Sequence, residues 1–435
     1  MLTGAGLATA GLAVAGCGGS ERPTIQESRG PSSGEPTTRA LQTMLDRRAK
    51  AMQAGDEAGF LADLDQGNSK LIAQQKMFFA NLRQFKLSAF RYLTESASPT
   101  PAEDEAYRFM PVHEVIQLNA DAAPGGVSPA GSHRYSVAQR NGKLVIVEIL
   151  PITRQNYKEL KASYFLSADA PWLLTPLKVV YADNVCLAAD ASVPDLDRYV
   201  GVAGPEARSV EAFWGDRPRF PGHVLFLTRD AENYKNWFSL GVTGNFKPEV
   251  EGVQMQQRGV RNGGQIYQDQ YAGARIVCNL ANSEKVGNDP RRVMRHELIH
   301  AVTSRAMETD SFVAGAARWA VEGFAAHMDG SGYRVGLSQG LAAGKFQGRL
   351  PRTDDFYGED RAFNYSLSAA AFRFAERAKG RAAAVEFYAK VIGYGNLEGG
   401  GDTRLPAFDG ICRRVLGMSA TTFYQQWSAF VRSGA

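Results

Sequence analysis

The sequence is poor in cysteine, in histidine and in net charge. Four cysteines stand in 435 residues and no two are spaced C-x-x-C, which removes thiolate zinc knuckles. Lys and Arg number 49 against 45 Asp and Glu, and no basic run occurs, so nucleic-acid binding is excluded as a class. There are only six histidines, so a cluster of them carries information. What remains is an ordinary globular composition, 44% hydrophobic and 22% charged, long enough for two or three domains.

The N-terminal stretch LTGAGLATAGLAVAGCGGS is apolar but too short to cross a bilayer, which takes about 20 apolar residues. It reads as a secretory core running into small residues. Val14-Ala15-Gly16-Cys17 resembles a bacterial lipobox. That resemblance implies a signal peptide over 1–17, cleavage before Cys17 and diacylation of that cysteine, and two acyl chains anchor stably where one does not. The protein would then be extracytoplasmic and lipid-anchored to the membrane of a bacterial cell envelope. No Lys or Arg precedes Arg22, so the basic start of such a leader is missing and the true start is expected upstream of Met1. The alternative is an unprocessed apolar tail. Residues 18–38, rich in Gly, Ser, Pro and charge, read as a disordered tether. With Cys17 committed, export permits a bridge between Cys186 and Cys278, both in strand-like runs.

The body reads as α+β. Residues 39–168 begin with two stretches of helical periodicity, RALQTMLDRRAKAMQAG and SKLIAQQKMFFANLRQF, followed by strands. The last two strands form a hairpin whose turn, Asn141-Gly142, supplies two positive φ angles. Helices followed by a curved antiparallel sheet resemble an NTF2-like, cystatin-type cone. HEVIQ at 113–117 lies in one of these strands and lacks a second histidine, so His113 reads as structural. Residues 169–435 start with a β-rich lobe: LKVVYADNVCLAA, HVLFLT and GARIVCNLA read as strands, and Asp230 as the N-cap of a helix. Beyond 281 all is helix and loop, closing with an amphipathic C-terminal helix that packs on this lobe.

The chemistry concentrates at HELIH, 296–300. Asp289-Pro290 opens its helix with a cap and a first-turn proline. His296 and His300, four residues apart, share one face and can reach one metal ion, with Glu297 beside them to act on water. Two histidines and a glutamate on one helix can equally be a polar face, so a third ligand decides. Thr303 and Ala306 stand where a metzincin needs Gly and His. Glu322, with 21 residues between it and His300, lies in Trp319-x-x-Glu322-Gly323-Phe324-Ala325.

HELIH and WAVEGFA together resemble the gluzincin signature of the peptidase MA clan, which includes aminopeptidases and thermolysin-like enzymes. The resemblance implies a zinc ion on His296, His300 and Glu322, with Glu297 as general base. It implies a β-lobe whose edge strand binds a peptide or protein substrate, with ARIVCNLA as the candidate. It also implies a tyrosine donor to the oxyanion; Tyr365 is the candidate, with a core-edge tyrosine as the other reading. Two positions depart from the pattern. The acid that often follows the ligand glutamate by four, orienting a histidine, is Ala326 here, and Asp329 could compensate only by a different geometry. His327 could ligate in place of Glu322 or simply pack. The aminopeptidase G-x-M-E-N motif is absent. A zinc metallopeptidase is therefore expected, and its rival is a non-catalytic envelope lipoprotein that uses the same scaffold for binding.

Overall fold

Thr37, Asp56 and Asn68 each accept a backbone N–H at the start of a helix, as short polar side chains do at N-caps. The helices they open are α1 (Thr38–Ala54), α2 (Glu57–Leu61) and α3 (Ser69–Leu82). The computed structural model describes residues 36–94, 97–103, 105–123, 125–242, 250–307, 316–330, 334–394 and 406–434. The expected signal peptide, Cys17 and residues 18–35 of the expected tether lie outside the described residues. Helix α1 starts at the last residue assigned to that tether.

The three helices lie on an antiparallel sheet built from β1 (Leu87–Leu93), β2 (Ser98–Pro101), β3 (Ala106–Leu118), β4 (Ser128–Arg140) and β5 (Lys143–Pro151). Asn141 and Gly142, at φ 51° and 72°, close the β4–β5 hairpin as expected. One face of the sheet packs Phe109, Val112, Ile116 and Tyr135 with Leu41, Met52, Phe60 and Phe78 of the helices. The opposite face carries a small cluster of Val115, Leu166 and Val260.

After α4 (Pro171–Leu174) come the hairpin strands β6 (Lys178–Ala182) and β7 (Val185–Ala189), then α5 (Val200–Trp214), β8 (His223–Thr228) and α6 (Ala231–Asn236). Asp230 caps α6, accepting from the Asn233 N–H. The next strands are β9 (Gly252–Gln257), β10 (Gly259–Val260), β11 (Ile266–Tyr267) and β12 (Gly273–Asn279). The short β10–β11 hairpin leaves its neighbours and joins the first sheet against the start of β4. The others form a second sheet in the order β6-β7-β8-β12-β9.

In that second sheet β7, β8 and β12 run parallel, and β6 and β9 pair antiparallel at the two sides. Strands β7 and β8 are buried along their whole length, because the sheet is covered on both faces. Val185, Leu187, Leu225, Leu227 and Ile276 pack toward the C-terminal helices, while Ala188, Val224, Phe226 and Val277 pack toward the N-terminal helices and sheet. Two expectations fail here. Strand β12 lies inside the sheet, between β8 and β9, so the edge beside the HELIH helix is β9 and not ARIVCNLA. Cys186 and Cys278 are both buried free thiols. They sit on strands separated by β8 and on opposite faces of the sheet, beyond the Cα separation a disulfide spans.

Helices α7 (Leu280–Lys285), α8 (Pro290–Thr303), α9 (Arg318–Met328), α10 (Arg334–Ala342), α11 (Arg361–Lys379), α12 (Arg381–Gly393), α13 (Pro406–Ile411) and α14 (Ala420–Arg432) complete the fold. No strand follows β12 among the described residues. The protein is thus mixed α and β, and no described helix is long and apolar enough to cross a membrane. Phe423, Trp427 and Val431 of α14 are buried in the helical core, so its aromatic stripe is packing.

Candidate metal centre

Helix α8 begins where the sequence puts it. Asp289 accepts from the Arg291 N–H at 2.9 Å, and Pro290 takes the first turn, where its missing N–H is harmless. Met294, Leu298, Ile299 and Val302 bury the inner face. The orientation is fixed from the other side by Glu206 of α5, which is 1% exposed and receives both Arg291 and Arg295. A buried carboxylate with two guanidinium partners is strongly destabilising to break on one side only. With the helix held at both faces, the His296 and His300 rings meet edge to face, centroids 4.8 Å apart.

Helix α9 brings the third donor. Trp319 stacks on Phe372 with centroids 5.7 Å apart, and Phe324 lies flat on Tyr388 at 3.9 Å. Between them Gly323 lets α9 approach α11 closely, since a Cβ there would stand 2.5 Å from the Ser368 Cβ. The glycine of WAVEGFA is therefore a packing requirement that sets Glu322 at the right depth.

One donor atom each from His296, His300 and Glu322 lies within 4.8 Å of the others. Glu322 Oε2 is 3.4 Å from His296 Nε2 and 3.6 Å from His300 Nε2. Those separations are long for charge-assisted hydrogen bonds, which run about 2.7–2.9 Å. They are close to the roughly 3.3 Å that tetrahedral bonds of about 2.0–2.1 Å impose between neighbouring ligands. The donor set, two imidazoles and a carboxylate, is one that zinc takes with a position to spare. The residues fit a zinc ion.

His296 is also oriented from behind. Its Nδ1 lies 2.8 Å from Asp329 Oδ2, which places the proton on Nδ1 and leaves Nε2 as the lone-pair donor. Asp329, just past the last turn of α9, thus does what an acid at position 326 was expected to do. Ala326 does not leave His296 without a carboxylate. Residues four and seven after Glu322 lie on nearly the same helix face, so either can reach back to α8.

The two glutamates are electrostatically different. Burial alone would raise the Glu322 carboxyl, but the imidazoles of His296 and His300 outweigh it and hold it well below the ordinary carboxylate range. Glu297 is raised by burial, which exceeds the opposing pull of the same histidines. Its carboxylate accepts from the backbone N–H of Gln254 on β9. At Gly252, on the same strand, a Cβ would come 2.8 Å from the Glu297 Cγ. Strand β9, the edge of the sheet among the described residues, therefore runs directly past Glu297.

Tyr365 on α11 sits with its ring 6.4 Å from that of His296 and 5.1 Å from Phe356, so the expected tyrosine borders the cluster. A second one was not foreseen. Tyr357 donates to Glu322 Oε1 at 2.5 Å, and Arg318 lies over its ring at 4.7 Å. It stands in the loop before α11, where no periodicity marks it. His327 takes no part: its Nε2 is 2.6 Å from Glu376 Oε2, and it falls outside the ligand cluster.

No family model matches this sequence, and no curated protein matches it. Among solved structures, a mutant of a two-domain M1 zinc metallopeptidase bound to L-tryptophan is a distant match, with 13% identity and a TM-score of 0.30. The match covers 70% of this chain and 61% of that one.

Proposed function

We propose that the chain is an extracytoplasmic zinc metallopeptidase of gluzincin type, lipid-anchored through Cys17 and hydrolysing peptide bonds in peptide or protein substrates. One observation carries the reading: His296, His300 and Glu322 converge on a point beside Glu297 and the free edge of β9. Zinc on the three ligands supplies Lewis-acid activation of water and of the scissile carbonyl.

The rest is the work of side chains and backbone. An extended substrate pairs its backbone with β9, which among the described residues has a partner on one side only. That pairing lays the scissile bond along Glu297. Glu297 is the general base that takes the proton of the attacking water and returns it to the leaving amine. A carboxyl raised above its ordinary value is suited to both halves of that exchange. The hydroxyl of Tyr365 is the nearby donor for the developing oxyanion, while that of Tyr357 is committed to Glu322. Three helices laid on an antiparallel sheet with three register breaks support reading residues 39–168 as an NTF2-like cone beside the peptidase-like domain at 169–435. The rival, a non-catalytic binding scaffold, drew its support from Ala326, and the Asp329–His296 contact removes that support.

Glu297→Gln tests the proposal. Zinc content should stay at one per chain while cleavage of an unfolded protein substrate falls at least a thousandfold. A zinc-loaded wild type that cleaves nothing in a broad peptide library would contradict it, as would a variant that cleaves like wild type.

A further inference from the structure

His113, which the sequence marks as a near miss of the metal motif, opens onto a second candidate site. It lines a cavity of about 570 Å³ on the face of the first sheet away from the helices, together with Lys161, Tyr164, Gln265, Met110 and Ile266. Pockets that bury a small ligand run from about 300 to 1,000 Å³. The cavity is walled by β3, by the turn at 161–164 and by the β10–β11 hairpin. No aspartate or glutamate lines it.

Several of the polar groups around it can donate. The Leu166 N–H donates to Ser132 Oγ at 2.8 Å, and Ser132 Oγ lies 3.1 Å from His113 Nδ1. Where the serine hydroxyl donates to Nδ1, a neutral His113 carries its proton on Nε2. Burial keeps the ring neutral, its pKa lowered to about 4. Tyr164 accepts from Gln268 Nε2 at 2.7 Å, which leaves its own hydrogen to donate. Lys161 adds a full positive charge at the exposed mouth. Its backbone has φ 54°, a left-handed conformation that glycine adopts without strain and a lysine does not. Ala162 N–H bonds back to the Tyr157 carbonyl at 2.8 Å, the closure of a Schellman-type turn. A glycine would make that turn at lower cost, and the lysine there is one of the residues that line the cavity. Met110, Ala162 and Ile266 supply the apolar wall.

We infer that this cavity binds a small organic anion with an apolar body, a monocarboxylate, its head on Lys161 and His113 and its chain on Met110 and Ile266. The site is separate from the histidine–glutamate cluster and does not depend on the peptidase reading.

Calorimetric titration of the full chain with decanoate and with decanol at neutral pH tests it. Decanoate should bind saturably at one site, and decanol at least tenfold more weakly. Lys161→Gly suits the backbone and removes only the ammonium; it should weaken decanoate five- to tenfold with no loss of melting temperature. His113→Phe keeps a ring and removes the donor, and should weaken it further. Absence of saturable decanoate binding would overturn the inference, and so would equal binding of decanol. Decanoate affinity unmoved by Lys161→Gly would overturn it too, since it would place the ligand elsewhere, including on the histidine–glutamate cluster.

Discussion

Two regions of this protein bury histidines beside a glutamate, with opposite electrostatic results. In the C-terminal lobe His296, His300 and Glu322 point at one another, and Glu322 is held well below its ordinary range. In the N-terminal sheet His113, Glu114 and His133 are as deeply buried, yet burial drives both histidines down to about 4 and the glutamate up to about 8. The composition is alike, and the direction is reversed between Glu322 and Glu114. What differs is topology. On a helix, residues four apart share a face, and α9 adds a third donor to that face. On a strand, neighbours 113 and 114 point to opposite faces, so His113 and Glu114 are never presented to a common ion. Convergence makes a place for a cation, and where burial outweighs the partners each group sheds its charge.

The sharpest way to break that comparison is to remove the convergence. Glu322→Ala should abolish measurable zinc binding, a loss of at least a thousandfold by competition with a chelating dye, while circular dichroism stays that of the wild type. Retained stoichiometric zinc would show that the cluster is not the site. Next in size is Asp329→Ala, which leaves all three ligands but frees the His296 ring. Zinc affinity should fall about 10–100-fold, the usual effect of removing such a partner. An unchanged affinity would mean the contact is incidental and would return weight to the absent acid at 326.

The N-terminal side is sharpened by pH. Glu114 at about 8, against an ordinary 4.5, binds its proton more tightly in the folded chain. Its contribution is complete below about 4.5 and is lost as pH rises through 8. His113 and His133 at about 4, against 6.5, act the other way: their contribution is present above 6.5 and is lost as pH falls through 4. Between about 4.5 and 6.5 two histidines outweigh one carboxyl, and stability rises with pH. From 6.5 to 8 Glu114 is the one of these three that still acts, and its contribution falls. The melting temperature should therefore drop by several degrees between pH 6.5 and 8.5, and Glu114→Gln should remove most of that drop. An identical drop in the variant would contradict the assignment. The smallest effect is expected from the tyrosines. Tyr357→Phe should change zinc affinity by only a few-fold, because it removes one hydrogen bond to Glu322 and no ligand. Tyr365→Phe should spare affinity altogether and lower turnover.

Much of the candidate site was legible because it rests on helical periodicity. Asp289, Pro290, His296 and His300 are local, and their spacing alone places them. Glu322 could be named only through the resemblance of WAVEGFA, since nothing in a 21-residue gap dictates that α9 returns to α8. Asp329 is legible only as a substitute for the acid at 326, because the family pattern puts that acid four after Glu322, although seven lies on nearly the same face. Strand β9 escaped notice because GVQMQQ is polar and half-buried throughout, with no alternation to mark it. That is how an edge strand beside a cleft reads. The apolar strands β7 and β12 gave the reverse difficulty. Buried on both faces, they show no alternation, so the opposite facing of Cys186 and Cys278 could not be read and a bridge looked feasible. Tyr357 and the cavity at His113 depend on loops and on the β10–β11 hairpin crossing to the other sheet, which no local pattern announces.

Zinc K-edge absorption on protein loaded with one equivalent of zinc tests the central claim most directly. The expected spectrum has two imidazoles and oxygen donors at about 2.0–2.1 Å and no sulfur. A thiolate contribution near 2.3 Å, or a shell without imidazole, would place the metal away from His296, His300 and Glu322 and contradict the account.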